Sequence, residues 1–349
     1  MPRFSDAHLR SFTKAVLKEA GVPRKDAKII SDSLIQANLE GIDSHGISRL
    51  PVYVRRMMEG RIHSRPCIRI TEHGSVLSVD GDNGLGHVVS YRSVEAAISV
   101  AKKRGMAGVF IRRSNHNGTG AFYCQQAMKE NMVLIAMTNT PPGIAPTGGR
   151  EPRLGTNPVA FGFPVKEGPP LLIDLATSMV ARGKVILAAR EKKPIPRGWA
   201  VDEKGLDTTD ARTALKGSML PVGGAKGYAL SSTIEVLCGV LSGAAFGTGV
   251  GSIYEEDEKP ADIGHHFILY YLPHIMSLEE YYKRMDAFLR MLKGTPPAEK
   301  SDGVYYPGER RYQRYLGRKK NGIPLPFEVL NDLNVMAQNL SLNGLHPIE

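Results

Sequence analysis

The hydrophobic spacing of this 349-residue chain changes character near residue 67, and that change limits the folds open to it. Before it, apolar residues recur at helical intervals. Ser5 can cap a helix over 5–20 whose face is Leu9, Phe12, Val16 and Leu17, and Gly21 ends it. Pro23 opens a second helix carrying Ile29, Ile30, Leu34, Ile35 and Leu39, which runs to Gly41, and 51–58 is a short helix closed by Gly60. After Cys67 the pattern alternates. Two short strands flank His73-Gly74; further strands are expected at 107–111, 132–137, 159–163, 171–175 and 267–272. Helices are expected at 91–104, 119–131, 177–190, 226–241, 277–293 and 326–340, with 138–164 and 191–225 rich in loops. Strand–helix alternation behind an all-helical opening describes an α/β core with a helical unit in front. We divide the chain into a helical unit (1–65), an α/β core (66–305) and a basic loop and helix (306–349) that packs back on the core.

Composition removes several classes. No run approaches the ~18 apolar residues of a membrane helix, and Met1-Pro2-Arg3-Phe4-Ser5-Asp6 has no apolar signal core. Cys67, Cys124 and Cys238 lie far apart, which argues against a disulfide framework and a zinc site. These features read as a cytoplasmic protein with no membrane partner. The net charge of +10 suits anionic substrates and phosphate-bearing cofactors, and equally admits nucleic acid. Outside the tail the basic residues are dispersed, so we expect no nucleic-acid partner.

The stretch with most chemistry is Gly41-Ile42-Asp43-Ser44-His45-Gly46-Ile47-Ser48-Arg49-Leu50. An imidazole titrates near neutrality and can give or take a proton. A guanidinium four residues on can grip a carboxylate with two parallel bonds. A 2-keto acid being reduced needs both: its carboxylate held, and its carbonyl oxygen protonated as hydride reaches the carbon. On a helix His45 and Arg49 would share a face, whereas Pro51 points to a turn just before a helix. A structural His beside a structural Arg is the plainer alternative.

Other segments carry weaker signals. Ser114-Asn115-His116-Asn117-Gly118-Thr119-Gly120 follows a strand and precedes a helix, where free N–H groups receive anions; a tight turn capped by Thr119 is the alternative. Asp174-Leu175-Ala176-Thr177-Ser178 turns from strand to helix, so Asp174 can accept from ribose hydroxyls or simply cap. Lys226 lies among glycines at a helix start. Pro307-Gly308-Glu309-Arg310-Arg311-Tyr312-Gln313-Arg314-Tyr315 could close over phosphate or form a solvated basic helix. His265-His266 lies in a strand, so its rings point to opposite faces and do not form a metal pair. No convincing GxGxxG follows a strand anywhere, and Gly247-Thr248-Gly249-Val250-Gly251 lacks the strand and helix such a fingerprint needs.

Taken in order, these segments resemble the type 2 malate/L-lactate dehydrogenase family nearly end to end. The resemblance rests on Gly41 to Gly46 with Arg49 and Leu50, Ser114-Asn115-His116, Gly155-Thr156-Asn157-Pro158, Asp174 to Ser178, and Gly223-Gly224-Ala225-Lys226-Gly227-Tyr228. Ile263-Gly264-His265, and Pro307-Gly308-Glu309 followed by Gly322-Ile323-Pro324-Leu325-Pro326, complete it. It implies a non-Rossmann mixed-sheet α/β fold and a homodimer with a shared active site. It implies NAD or NADP as cofactor and a small 2-hydroxy or 2-keto acid as substrate. His45, supported by Ser44, would be the proton donor, and Arg49 and Thr156 would bind substrate. His116, Asn117, Gly118, Thr119 and Gly120, then Asp174, Leu175 and Ala176, Lys226, and Tyr306, Pro307, Gly308, Glu309, Arg310 and Arg311 would cradle the cofactor. Asn117 stands where the family often has an aromatic residue. Lys184 stands where imine-reducing members tend to carry Asp, which resembles the hydroxy-acid branch. Ureidoglycolate oxidation and cyclic imine reduction are the alternatives within the family; a basic anion- or nucleic-acid-binding protein is the alternative outside it.

Overall fold

The structure, a computed structural model, describes residues 1–253 and 259–347. A short strand β1 (Arg3–Phe4) leads into α1 (Asp6–Glu19), whose N–H at His8 is capped by the Ser5 hydroxyl at 3.1 Å. Next come α2 (Arg24–Leu39) and α3 (Leu50–Met58). These helices bury Leu9, Val16, Leu17, Leu34, Ile35, Leu50 and Tyr53 in one cluster, joined by Ile47 from the turn before α3. The three helices expected from periodicity and capping are all present in this helical N-terminal region.

The core is a seven-stranded mixed sheet. The hairpin β2 (Arg69–His73) and β3 (Val76–Asp80) is followed by α4 (Gly86–Arg104) and β4 (Met106–Ser114), and β3 and β4 run parallel. Then α5 (Gly120–Met128) leads to β5 (Met132–Thr138), and β6 (Val159–Phe163) and β7 (Leu171–Leu175) complete one edge by antiparallel pairing. A peripheral unit follows: α6 (Arg182–Arg190), β8 (Ala200–Val201), α7 (Ala211–Lys216) and β9 (Ser218–Met219), with its own small core of Val180, Val185, Ile195, Ala211 and Ala214. Helix α8 (Ala225–Glu235) continues into a π-helical turn, Val236–Val240. Then β10 (Ile263–Tyr271) inserts between β4 and β5, antiparallel to both. Alternation along the strands feeds two layers: Leu134, Ala136, Phe267 and Leu269 pack with α4 and α5, whereas Met137 and Val159 pack with Ile234 and Cys238 of α8 and its π turn. Because β10 splits the βαβ unit, the sheet has no run of parallel strands of Rossmann type.

The chain closes with α9 (Leu278–Lys293), α10 (Glu309–Asn321), β11 (Ile323–Pro324) and α11 (Phe327–Asn339). β11 pairs with β1, and Ile323, Leu325, Leu333 and Met336 join the cluster of the N-terminal helices.

Several boundaries differ from expectation. Helix α4 starts at Gly86 rather than 91, and Gly86 passes the Asn115 carbonyl so closely that a Cβ would lie 1.9 Å from it. The expected helix over 177–190 begins only at Arg182. Thr177 is drawn out of helical geometry by giving both its N–H and its hydroxyl to the Thr156 carbonyl, at 2.9 and 3.0 Å. Residues 309–321 of the basic tail form a helix that is not solvated on every face.

Candidate active site

His45 is delivered by the break between two helices. Past α2, Gly41 takes a left-handed conformation, φ 79°, and two 3-10 turns, Asp43–His45 and Ile47–Arg49, carry the chain into α3. Pro51 fits there because the first turn of a helix needs no N–H from it. Ser44 Oγ lies 2.9 Å from His45 Nδ1, and Arg49 Nε donates to the Ser44 carbonyl at 2.6 Å, which fixes the direction of the guanidinium. Serine, imidazole and guanidinium therefore sit on successive tight turns, not on one helical face. Asn38 spans the turn from inside: its Nδ2 donates to Asp43 Oδ1, and its Oδ1 accepts from the Ile47 N–H, both at 2.7 Å. Gly46 is required, because a Cβ there would lie 2.2 Å from Asn38 Oδ1.

The end of β4 brings His116 to the same place. Its ring stacks on His45 with centroids 5.4 Å apart and planes 26° from parallel. His116 Nδ1 receives the Gly118 N–H at 3.3 Å, so it is the unprotonated nitrogen, and the Tyr53 hydroxyl 2.6 Å away donates to it. Behind Tyr53 lies His87, fully buried, with neither ring nitrogen hydrogen-bonded among the described residues. His265, also fully buried, contacts Thr138 Oγ1 at 2.8 Å through Nδ1 and Ser114 Oγ at 2.9 Å through Nε2. Its neighbour His266 bonds the Val109 carbonyl instead.

Burial governs the charge of these rings. His45 is half-buried, and burial pulls its pKa down to about 4. The Asp174 carboxylate opposes this; Arg49 and Arg311 reinforce it. Burial holds His87 and His265 at about 3 and drives His116 well below the ordinary value.

Asp174, at the end of β7, accepts the Ala121 N–H at 3.1 Å and meets Arg311 Nη2 at 3.4 Å, while Arg311 Nη1 lies 3.5 Å from Glu40. The protein's own carboxylate thus occupies the first turn of α5. Thr119 is buried, and Gly118 and Gly120 are packing positions, since a Cβ would meet His87 Nε2 at 2.7 Å or the Ala160 Cβ at 2.6 Å. Asn117 is buried and donates to Ser90 Oγ. Thr156 is half-buried, with its Oγ1 3.4 Å from Thr140 Oγ1. Leu175 is exposed and Ala176 half-buried beside Asp174.

The segment 306–311 is largely engaged with the protein. Tyr306 OH donates to the Pro169 carbonyl, Pro307 accepts the Leu172 N–H, and Glu309 receives the Tyr306 N–H. A Cβ on Gly308 would lie 2.2 Å from the Pro170 carbonyl, and Arg310 covers the Tyr305 ring. Lys226 is different. It is exposed, and the preceding Gly223 and Gly224 have φ of 62° and 64° with open space where a Cβ would be.

Sequence reasoning missed Tyr53, His87, Asn38 and Glu40. Only Tyr53 left a trace, four residues beyond Arg49 and hence above it on the same face. Being fully buried, it reads as core.

The malate/L-lactate dehydrogenase family model matches residues 4–334. The malate dehydrogenase of Pyrococcus horikoshii is 39% identical over 346 residues, covering 97% of this chain and 95% of its own length. The L-sulfolactate dehydrogenase of Methanocaldococcus jannaschii is 40% identical over 329 residues, 94% of each. A solved structure of sulfolactate dehydrogenase from the same organism superposes with a TM-score of 0.92 over 98% of both chains at 38% identity. The ureidoglycolate dehydrogenase (NAD(+)) of Escherichia coli K12 is 34% identical over 308 residues, 88% of each. A match of this length to one family, shared with dehydrogenases of several small hydroxy acids, shows that the chain belongs to the malate/L-lactate dehydrogenase family.

Proposed function

We propose that the protein is an NAD(P)-dependent oxidoreductase interconverting a small malate- or lactate-like 2-hydroxy acid and its 2-keto acid. His45 is the acid–base group of this reading and Arg49 the carboxylate clamp. The observation that carries it is a half-buried imidazole, held neutral, with the Ser44 hydroxyl at hydrogen-bond distance from Nδ1 and a guanidinium fixed beside it.

The residues present fit a nicotinamide dinucleotide. Open space at Gly223 and Gly224, the exposed Lys226 and the first turn of the eleven-residue helix α8 form a cradle of the right charge for its phosphates. His116 and Asp174, which flank His45 in space or in charge, would border the nicotinamide, with Asn117, Leu175 and Ala176 around them. Gly118, Thr119 and Gly120 shape that border by packing. Tyr306, Pro307, Gly308, Glu309, Arg310 and Arg311 complete the set of cofactor-binding residues in this reading. The cofactor, when bound, supplies hydride to the keto carbon or takes it from the hydroxyl carbon.

The protein's part is binding and proton transfer. Arg49 holds the substrate carboxylate and Thr156 contacts the substrate, so the carbon–oxygen group is presented to His45. In the tautomer whose Nδ1–H is given to Ser44 Oγ, Nε2 carries the lone pair that takes the hydroxyl proton in oxidation. In reduction the imidazolium returns it. A homodimer in the cytoplasm is the assembly and compartment we attach to this reading.

A panel of 2-keto acids against NADH and NADPH, followed at the nicotinamide absorbance, tests the proposal. His45→Ala is expected to lower turnover ~10²–10⁴-fold while reduced cofactor still raises the melting temperature. Arg49→Ala is expected to raise KM for the keto acid. Near wild-type turnover in His45→Ala, or a melting shift with an oligonucleotide and with neither cofactor, would overturn it.

A further inference from the structure

We propose that Arg318 of the C-terminal helix α10 is a positioning residue for His45, holding through Asp43 the turn that presents the imidazole. This rests on the acid–base role given to His45 above. Arg318 grips Asp43 with a two-pronged fork: Nη1 donates to Oδ1 at 2.7 Å and Nη2 to Oδ2 at 2.9 Å. Such a fork fixes orientation as well as distance. Nη1 also reaches the Asn38 carbonyl at 2.5 Å, at the C-terminal end of α2 where a cation is favoured. Asp43 is the first residue of the turn Asp43–His45, and Asn38 donates to the same Oδ1 that receives Nη1 while its own Oδ1 accepts the Ile47 N–H. Ser44, His45 and Gly46 are thereby strung between two clamped points, and Ser48 Oγ adds a bond to the Asp43 carbonyl at 2.9 Å.

The helix is built for this contact. Arg311, Arg314 and Arg318 recur at intervals of three and four, one face of α10. Arg311 lies against Glu40. The Arg314 stem covers Gly41, where a Cβ would be 2.8 Å from its Cδ. The Asp43 side chain is 44% exposed and that of Arg318 20%, so solvent weakens the pair and it adds modestly to overall stability. Its effect falls on where the imidazole sits relative to His116, Asp174, Arg49 and Arg311, the groups that face it.

The test uses the full chain as Arg318→Lys, Arg318→Gln and Asp43→Asn, with two readouts. Steady-state kinetics of keto-acid reduction should show kcat reduced about tenfold or more in Arg318→Gln, as expected for a displaced acid–base group, with KM for the cofactor unchanged. Lysine, which keeps the charge but not the fork, should restore part of it. NMR titration of the His45 ring in ligand-free protein should show its midpoint moved upward toward the free-imidazole value in Arg318→Gln and Asp43→Asn, while His266 stays put. The double variant should be no worse than either single one. Unchanged kcat and an unchanged His45 titration in folded Arg318→Gln and Asp43→Asn would overturn the proposal. Should Arg318→Gln not fold, Asp43→Asn and Arg318→Lys carry both readouts. A shifted titration in a protein that reduces no keto acid would uphold the positioning role while removing the dehydrogenase reading, so the two failures are distinguishable.

Discussion

An imidazole pulled down to about 4 is almost wholly in its neutral, proton-accepting form near neutrality, and its imidazolium is scarce. The two directions of the proposed reaction then respond oppositely to pH. Oxidation uses the neutral ring, so its kcat/KM should be flat from pH 6 to 8 and fall only on acidification toward the ring's pKa. Reduction uses the imidazolium, so its kcat/KM should fall about tenfold per pH unit over the same range. Asp174 is the charge that favours the imidazolium, so Asp174→Asn should lower the His45 pKa further and depress reduction at neutral pH more than oxidation. Paired pH profiles in both directions check this. Parallel profiles for the two directions, or a break near the free-imidazole value in the wild type, would contradict it.

At the scale of elements, the loop before α8 is the place where phosphate binding can be read by itself. Lys226→Ala should weaken NADH or NADPH binding about tenfold and reduce its dependence on salt, measured by nicotinamide fluorescence. An unchanged dissociation constant would remove Lys226 from the cofactor site. What was legible in sequence follows the range of the contacts. Helices α1, α2 and α3 announced themselves through Ser5, Gly21, Pro23 and Gly60, signals that act within a turn. Ser44, His45 and Arg49 were legible for the same reason, being packed into six residues. The insertion of β10 between β4 and β5 was not, because its partners lie more than a hundred residues away. Nor was the Arg318 contact, whose two ends are 275 residues apart. His87 and Tyr53 look like ordinary core positions until the fold brings His116 beside them.

For the whole molecule, the buried imidazoles make folding sensitive to acid. His87 and His265 have folded values of about 3 against 6.5 for the free side chain. Below 6.5 the unfolded chain therefore binds two protons that the native state refuses, and stability falls as pH drops, by about 3 kcal/mol per unit once well below 6.5. Melting curves at pH 7.5, 6 and 5 should show a progressive loss, and a constant melting temperature would mean that these rings are not buried neutral. The pairing of β1 with β11, and the grip of α10 on the turn after α2, have a different consequence. A ribosome makes the Asp43–His45 turn some 275 residues before the arginine that braces it. The turn around His45 is consequently made long before its brace, and it gains that brace only after Arg318 has emerged.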